Sequence, residues 1–191
     1  MTVDEEVVLL DEDGSPIGAA SKAAVHGLDT PLHLAFSCHV RNRQGLVLVT
    51  RRALGKRSWP GVWSNSFCGH PKPAEPVLDA VRRRADFELG LELDEIELAL
   101  PLFRYRASDA SGIVENEVCP VYLATTRYEP EPHGDEVAET AWVDPLVLGE
   151  SIRLTPWAFS PWLVLQAQHL EFLGGRPPAR AAREADARAV A

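Results

Sequence analysis

Apolar residues recur along the chain in short blocks with two different periods, and the period separates strands from helices. Glu6 to Leu10 is an apolar run closed by the turn Asp11-Glu12-Asp13-Gly14, after which Ile17 to Ala23 reads as a return strand or a helix entry. Two further runs, His33 to Val40 and Leu46 to Thr50, flank Asn42-Arg43-Gln44-Gly45, whose Asn and Gly tolerate the backbone angles of a hairpin turn. Ala53 to Val62, rich in Gly, Trp and Pro, reads as a loop. From Glu75 to Leu89 the apolar residues Val77, Leu78, Ala80, Val81, Ala85 and Leu89 fall at helical spacing, and Gly90 is placed to stop the helix. More strands are expected at Ile96 to Arg106, Ile113 to Thr125 and Thr140 to Val143, and a second helix at Pro161 to Leu173.

Strands outnumber helices and several adjoin as hairpins, so the predicted fold is α/β (α+β), a mixed β-sheet sandwiched by helices. A length of 191 residues with 46% hydrophobic composition suits one domain, placed at residues 1–173. The remaining 174–191 is Arg, Ala, Pro and Gly with almost no large apolar side chain; a disordered tail is expected there, with a transient helix open to Ala179 to Ala191.

The net charge of -9 argues against a general nucleic-acid binder, which needs a basic face. Basic residues instead gather locally, at Arg51, Arg52, Lys56 and Arg57 and again at Arg82, Arg83 and Arg84, as a site for a small anion or a solvated surface would have them. No apolar run reaches the roughly 18 residues of a membrane span, and the start of the chain is acidic where a signal peptide is basic. A cytoplasmic protein with neither nucleic-acid nor membrane partners is expected. No contiguous apolar patch is evident in the sequence, which favours a monomer.

Three cysteines cannot all pair within the chain, and a cytoplasmic setting keeps thiols reduced. Cys38 and Cys119 sit in apolar runs and read as packing. Cys68 differs, because Cys68-Gly69-His70 puts a thiol and an imidazole two residues apart, and Glu115-Asn116-Glu117 does the same for two carboxylates. In extended chain, residues i and i+2 point to one side, so the two segments can present four reactive groups to a shared cleft. From either segment alone, a buried Cys, a surface His and two solvated Glu are the plainer account. His39, His133 and His169 read as surface or core histidines.

Gly69, Glu75, Arg83, Glu88, Gly90 and Leu91 carry the spacing of the Nudix box, a loop and helix that binds divalent metal and a diphosphate. The match departs where the hydrolases hold further glutamates, since Arg84 and Phe87 stand there. The stretches TPLHLAFS, LVTRRALGKRSWPGVWSNSFCGHP, FRYRASDASGIVENEVCPVY and TPWAFSPW, in this order from about Val7 to about Phe172, resemble type I isopentenyl-diphosphate isomerases. The resemblance implies a Nudix-type fold and a reaction that moves a double bond in a five-carbon diphosphate by adding one proton and removing another.

The same resemblance assigns roles residue by residue. It implies Cys68 and Glu117 as the two proton-transfer groups, Tyr105 as hydrogen-bond partner of the glutamate, and Trp162 as the ring facing a carbocation; composition alone leaves Trp157, Trp59 and Trp63 equally eligible. It implies Mn2+ or Zn2+ held by His26, His33, His70, Glu115 and Glu117, and Mg2+ held by Glu88 together with the substrate diphosphate. Lys22, Arg52, Lys56 and Arg83 fall on diphosphate-binding positions, and Arg51, Arg57, Arg82 and Arg84 are expected to face elsewhere. The rival readings are a Nudix pyrophosphohydrolase, which would retain the missing glutamates, and a non-catalytic diphosphate or nucleotide sensor, which has no use for Cys68.

Overall fold

The computed structural model describes residues 5–176. Most of the tail expected at 174–191, with the transient helix expected within it, lies outside the described residues. In chain order the elements are β1 (Glu6–Leu10), β2 (Pro16–Ser21), α1 (Lys22–Val25), β3 (His33–Leu34), β4 (Phe36–Arg41), β5 (Val47–Arg52), β6 (Trp63–Ser64) and β7 (Phe67–Gly69). After them come α2 (Val77–Leu89), β8 (Ile96–Leu100), β9 (Arg104–Ser108), β10 (Val114–Val118), β11 (Val121–Thr125), β12 (Val137–Val143), α3 (Pro145–Leu154) and α4 (Pro161–Ala167).

Two sheets form where one was expected. The first runs β2-β1-β3-β10-β9; the second runs β12-β5-β4-β11-β8, with β6 beside β5 and β7 beside β4. The runs expected as single strands, His33 to Val40 and Ile113 to Thr125, each leave the first sheet and enter the second. They do so side by side: β3 lies parallel to β10 with Glu117 opposite His33, and β4 lies parallel to β11 with Val121 opposite Ser37. Pro120 has no N–H to give at the crossing, so the ladder continues through Ala35 N–H to the Val118 carbonyl (2.9 Å) and Ser37 N–H to the Pro120 carbonyl (3.1 Å).

The second sheet is covered on both faces, which is why its central strands read as unbroken apolar runs. Phe36, Cys38, Val40 and Leu48 pack with Ala80, Val81, Ala85 and Leu89 of α2. Ala35, Val47, Val49 and Val121 pack on the other side with Leu148 and Ile152 of α3 and Trp162 and Leu163 of α4. Helix α2 starts at Val77, after Pro76, and ends on Gly90 in the left-handed region as expected. Its distance from β7 depends on Gly69, where a Cβ would lie 2.7 Å from Arg84 Cγ and 2.9 Å from Phe36 Cζ. Only glycine allows that approach, and the approach brings the helix charges to the end of β7.

His39 is a core histidine, as expected. It is fully buried on β4, with Nε2 donating to Gln166 Oε1 at 2.9 Å. Burial lowers its pKa from 6.5 to about 4, with the Arg41 charge acting in the same sense and the Gln166 bond opposing. Between those values the unfolded chain binds a proton that the folded chain refuses, so this contribution is complete above pH 6.5 and is lost as pH falls toward 4. We expect chemical denaturation at pH 7 and pH 4.5 to differ by about 2–3 kcal/mol on this account, and His39→Gln to flatten the slope.

Candidate active site

Four ligand atoms, one each from His26, His33, His70 and Glu117, lie within 4.8 Å of one another. Each arrives by a different element. His26 follows α1, His33 opens β3, His70 follows β7, and Glu117 lies in β10 opposite His33. The three imidazole rings form a triangle with centroids 5.0, 5.2 and 5.5 Å apart. Glu117 Oε1 sits 3.2 Å from His70 Nε2 and 3.5 Å from His33 Nε2. Glu115 stands at the edge of the group, with Oε2 3.0 Å from His26 Nε2 and Oε1 accepting from Ser58 Oγ at 2.8 Å.

This donor set fits a divalent cation. His26 Nδ1 and His33 Nδ1 face the carbonyls of Lys22 (3.1 Å) and Pro31 (2.9 Å), which places a proton on each Nδ1 and turns each Nε2 lone pair inward. His33 Nε2, His70 Nδ1 and Glu115 Oε2 are buried without a hydrogen-bond partner. Buried polar atoms are costly when unsatisfied, and a cation among them removes that cost. Burial opposes charge on Glu117, but His33 and His70 prevail and hold its carboxyl well below the usual range. Burial also works against charge on His33, yet the Glu117 contact lifts its pKa above the ordinary value, while burial takes His70 down to about 4.

A cleft of about 1090 Å³ opens from this group, lined by Cys68, Tyr105, Glu115, Glu117 and Trp162 and by several basic side chains. The Cys68 thiol lies 3.2 Å from Ser37 Oγ and 3.4 Å from Asn65 Oδ1. Burial pushes its pKa up to about 12, with Glu117 and Glu88 adding to the rise and Ser37 opposing it. Burial thus favours the neutral thiol. Tyr105 lies opposite Glu117 in the β9–β10 pair, its pKa raised by burial and by the two nearby carboxylates. The expected tyrosine–glutamate hydrogen bond is not formed among the described residues.

Trp162 is buried at the start of α4, with its ring 5.8 Å from Tyr105 and 5.4 Å from Trp59. The Arg52 guanidinium carbon sits 5.3 Å from its ring centroid, a cation already placed against the indole. Trp157, which composition left eligible, is 82% exposed on the surface.

The basic residues divide in an unexpected way. Of the residues the resemblance gave to the diphosphate, Lys22, Arg52 and Lys56 line the cleft and Arg83 does not; its guanidinium is tied to Glu75 (2.7 and 2.8 Å) and to the His70 carbonyl (3.2 Å). Arg84 and Arg57, expected to face elsewhere, both line the cleft. One helical residue is a turn of about 100°, and Gly69 draws the Arg84 side of α2 inward. The Arg84 guanidinium holds three carboxylates together, Glu88 at 2.5 Å, Glu136 at 3.3 Å and Glu5 at 3.7 Å. Burial raises the Glu88 pKa although Arg84 opposes the rise. Lys56 pairs with Glu136 and Lys22 with Glu5, so three cleft cations are matched by Glu88 from the same helix as Arg84 and by Glu5 and Glu136 from distant segments. Sequence reasoning missed Glu5, Glu136, Ser37 and Asn65, for which no local motif exists.

A NUDIX domain model matches residues 31–163. Among curated proteins the chain is 67% identical over 181 residues to the isopentenyl-diphosphate Delta-isomerase of Agromyces mediolanus, covering 95% of this chain and 88% of that one. It is 55% identical over 165 residues to the protein of the same name from Klebsiella pneumoniae, covering 86% and 90%. Among solved structures, a Deinococcus radiodurans protein aligns with TM-score 0.65 at 21% identity over 85% of this chain and 96% of that one. A MutT protein from Methanosarcina mazei aligns with TM-score 0.57 at 18% identity over 83% and 98%. The structural likenesses establish the fold; with the sequence matches, they show that the chain belongs to the Nudix family, in its isopentenyl-diphosphate Delta-isomerase branch.

Proposed function

We propose that the chain interconverts isopentenyl diphosphate and dimethylallyl diphosphate, with Cys68 and Glu117 as its two proton-transfer groups. The observation that carries this reading is the cleft itself, where a thiol from β7 and a carboxylate from β10 meet beside the indole of Trp162. An alkene is a very weak base, so adding a proton to it requires a positioned acid and a site that shields the tertiary cation from water. One of the two groups delivers a proton to the terminal carbon, and the other removes one from the carbon next to the branch, so charge balances over the cycle. The buried, electron-rich face of Trp162 stabilises a desolvated cation by about 2 kcal/mol or more. Tyr105, opposite Glu117, closes the cleft wall near the carboxylate.

His26, His33, His70 and Glu117, with Glu115 at the edge, form a nitrogen and oxygen set suited to Mn2+ or Zn2+. A cation there supplies the positive charge that orients Glu117 and adjusts its acidity. Glu88 is the residue for Mg2+ bound with the diphosphate, and Lys22, Arg52, Lys56 and Arg84 are the cleft cations that receive the phosphate oxygens. The carboxylate partners of Lys22, Lys56 and Arg84 must be exchanged for phosphate, while Arg52 is held by the Ser58 and Trp59 carbonyls; these contacts keep the cations ordered beforehand. Arginine is suited to this by its planar fork. Arg84→Lys should raise KM about tenfold, the loss of one charge-assisted bond, while Arg83→Lys should leave KM within about twofold; initial rates against substrate concentration decide between them.

The hydrolase reading is disfavoured because Arg84 and Phe87 stand at the helix positions where the hydrolases carry further metal-binding carboxylates, which leaves Glu88 alone on that face. Proton NMR of the protein with isopentenyl diphosphate and Mg2+ in deuterated water tests the whole assignment. Deuterium incorporation with a new dimethylallyl signal and no free phosphate is expected. Phosphate release would establish a hydrolase, and tight binding without turnover a sensor.

A further inference from the structure

We infer that Asn65 is a positioning residue shared by Cys68 and Trp162, and that a buried chain of Ser37, Gln166 and His39 fixes the Cys68 sulfur from behind. The inference rests on the assignment of the thiol and indole as groups that meet the substrate, and it names the parts that hold them in register.

Asn65 is fully buried between β6 and β7. Its amide orientation is fixed, because Nδ2 donates to the carbonyls of Cys38 (3.0 Å) and Phe67 (2.7 Å), which uses both of its hydrogens. Oδ1 is thus left to accept. It receives the Trp162 indole N–H at 2.9 Å, the Ser64 hydroxyl at 2.9 Å and the Cys68 thiol at 3.4 Å. The indole is a donor only, so this contact has one possible direction. The indole N–H also reaches Ser64 Oγ at 3.0 Å, and that hydroxyl itself donates to Asn65 Oδ1, so this one oxygen is the common acceptor for the ring edge, its neighbouring hydroxyl and the S–H bond. The residues that anchor it, Cys38 and Phe67, are paired partners of β4 and β7, so the anchor is the sheet itself.

The sulfur is held on its other side by a ladder whose direction is also determined. Gln166 Nε2 donates to Ser37 Oγ at 2.9 Å, and Gln166 Oε1 accepts from His39 Nε2 at 2.9 Å. His39 is held neutral by its burial, which leaves its hydrogen on the nitrogen facing Gln166. With Ser37 Oγ already accepting, its one hydrogen goes to a sulfur, Cys68 at 3.2 Å or Cys119 at 3.4 Å. Ser37, Gln166 and His39 are all 0% exposed, so water does not compete for these bonds. Cys68 in this arrangement gives its hydrogen to Asn65, has the Ser37 hydroxyl, which it shares with Cys119, against its other side, and keeps a lone pair for the cleft. A displacement of about 1 Å at a reacting group costs about a hundredfold in rate.

The test compares Asn65→Ala and Ser37→Ala with the wild type in steady-state kinetics, with 15N-labelled tryptophan in the same proteins. Trp162→Phe identifies the Trp162 indole N–H resonance. Asn65→Ala should lower kcat by about 10–100-fold, leave KM within about threefold, and move that resonance. Ser37→Ala should lower kcat about tenfold and leave the resonance in place; removing a single hydroxyl, it carries the test if Asn65→Ala does not fold. Folded variants with kcat within twofold of the wild type, or a Trp162 resonance unmoved by Asn65→Ala, would overturn the inference. Full turnover by Cys68→Ala would instead remove the assignment beneath it, and that outcome is recognisable because the indole resonance responds to Asn65 whatever the thiol does.

Discussion

Cys68→Ala should lower turnover by at least about 10³-fold while leaving diphosphate affinity within a few-fold. A positioned acid or base contributes about 10²–10⁴-fold, and here the loss falls near the upper end because nothing adjacent can take over: the neighbouring side chains Ser37 and Asn65 are a hydroxyl and an amide, and Cys119 is buried at 1% exposure. The diphosphate contacts assigned to Lys22, Arg52, Lys56 and Arg84 come from other side chains of the cleft wall, and none of those side chains hydrogen-bonds to the sulfur. Packing should change little, since the thiol faces a cleft and its removal opens no closed cavity. Single-turnover rates give the chemical step, and calorimetric titration with a non-reacting diphosphate analogue gives the affinity. A fall in affinity equal to the fall in turnover would mean that Cys68 binds and does not react; unchanged turnover would sink its assignment altogether.

What the chain disclosed in advance is explained by the range over which each signal acts. The pairs Cys68/His70 and Glu115/Glu117 were legible because extended backbone turns i and i+2 the same way, and that geometry is local. Nothing local joins His26 to His33, or either to Glu117; the parallel pairing of β3 with β10 sets His33 opposite Glu117 across more than eighty residues of sequence, and His26 arrives separately from the end of α1. The division into two sheets was hidden for a related reason. Val118-Cys119-Pro120-Val121 is apolar throughout, and Pro120 reads equally as the end of a strand or as a strand changing sheets. Helix α3 carried a readable start, with Asp144 accepting from the N–H groups of Leu146 and Val147 and Pro145 in the first turn. Gly149 weakened the helical signal, yet it is there because a Cβ would stand 2.1 Å from the Leu173 carbonyl oxygen. The expected helix from Pro161 to Leu173 breaks at Gln168 and resumes only as a short turn at Glu171–Leu173, which returns the chain to that glycine. Glu88 lies one helical turn from Arg84, a pairing of local range, but Glu5 and Glu136 reach Arg84 from distant segments, and those contacts have no sequence signature.

Glu117→Gln should abolish turnover beyond the reach of added metal, and this separates its two roles. The carboxylate Oε1 faces His33 and His70 at 3.5 and 3.2 Å, and those contacts hold it ionised despite burial. Glutamine keeps the size but removes the charge and the exchangeable acid proton. A residue that only bound metal would lose activity in proportion to metal lost, and saturating Mn2+ or Zn2+ would restore it. A residue that also moves a proton would stay inactive at full occupancy. His33→Asn supplies the comparison, because its imidazole has Nδ1 against the Pro31 carbonyl and Nε2 turned inward, a ligand with no proton-transfer assignment. We expect metal content, read by elemental mass spectrometry, to fall in both variants, with excess metal recovering much of the activity of His33→Asn and none of that of Glu117→Gln. Chelation of the wild type should remove activity reversibly and lower its melting temperature, since a cation held at 100 times its dissociation constant stabilises the fold by about 2.7 kcal/mol. Recovery of Glu117→Gln by metal alone would confine this residue to ligation and return the second proton transfer to another group in the cleft, with Tyr105, directly opposite on β9, the first to be tested.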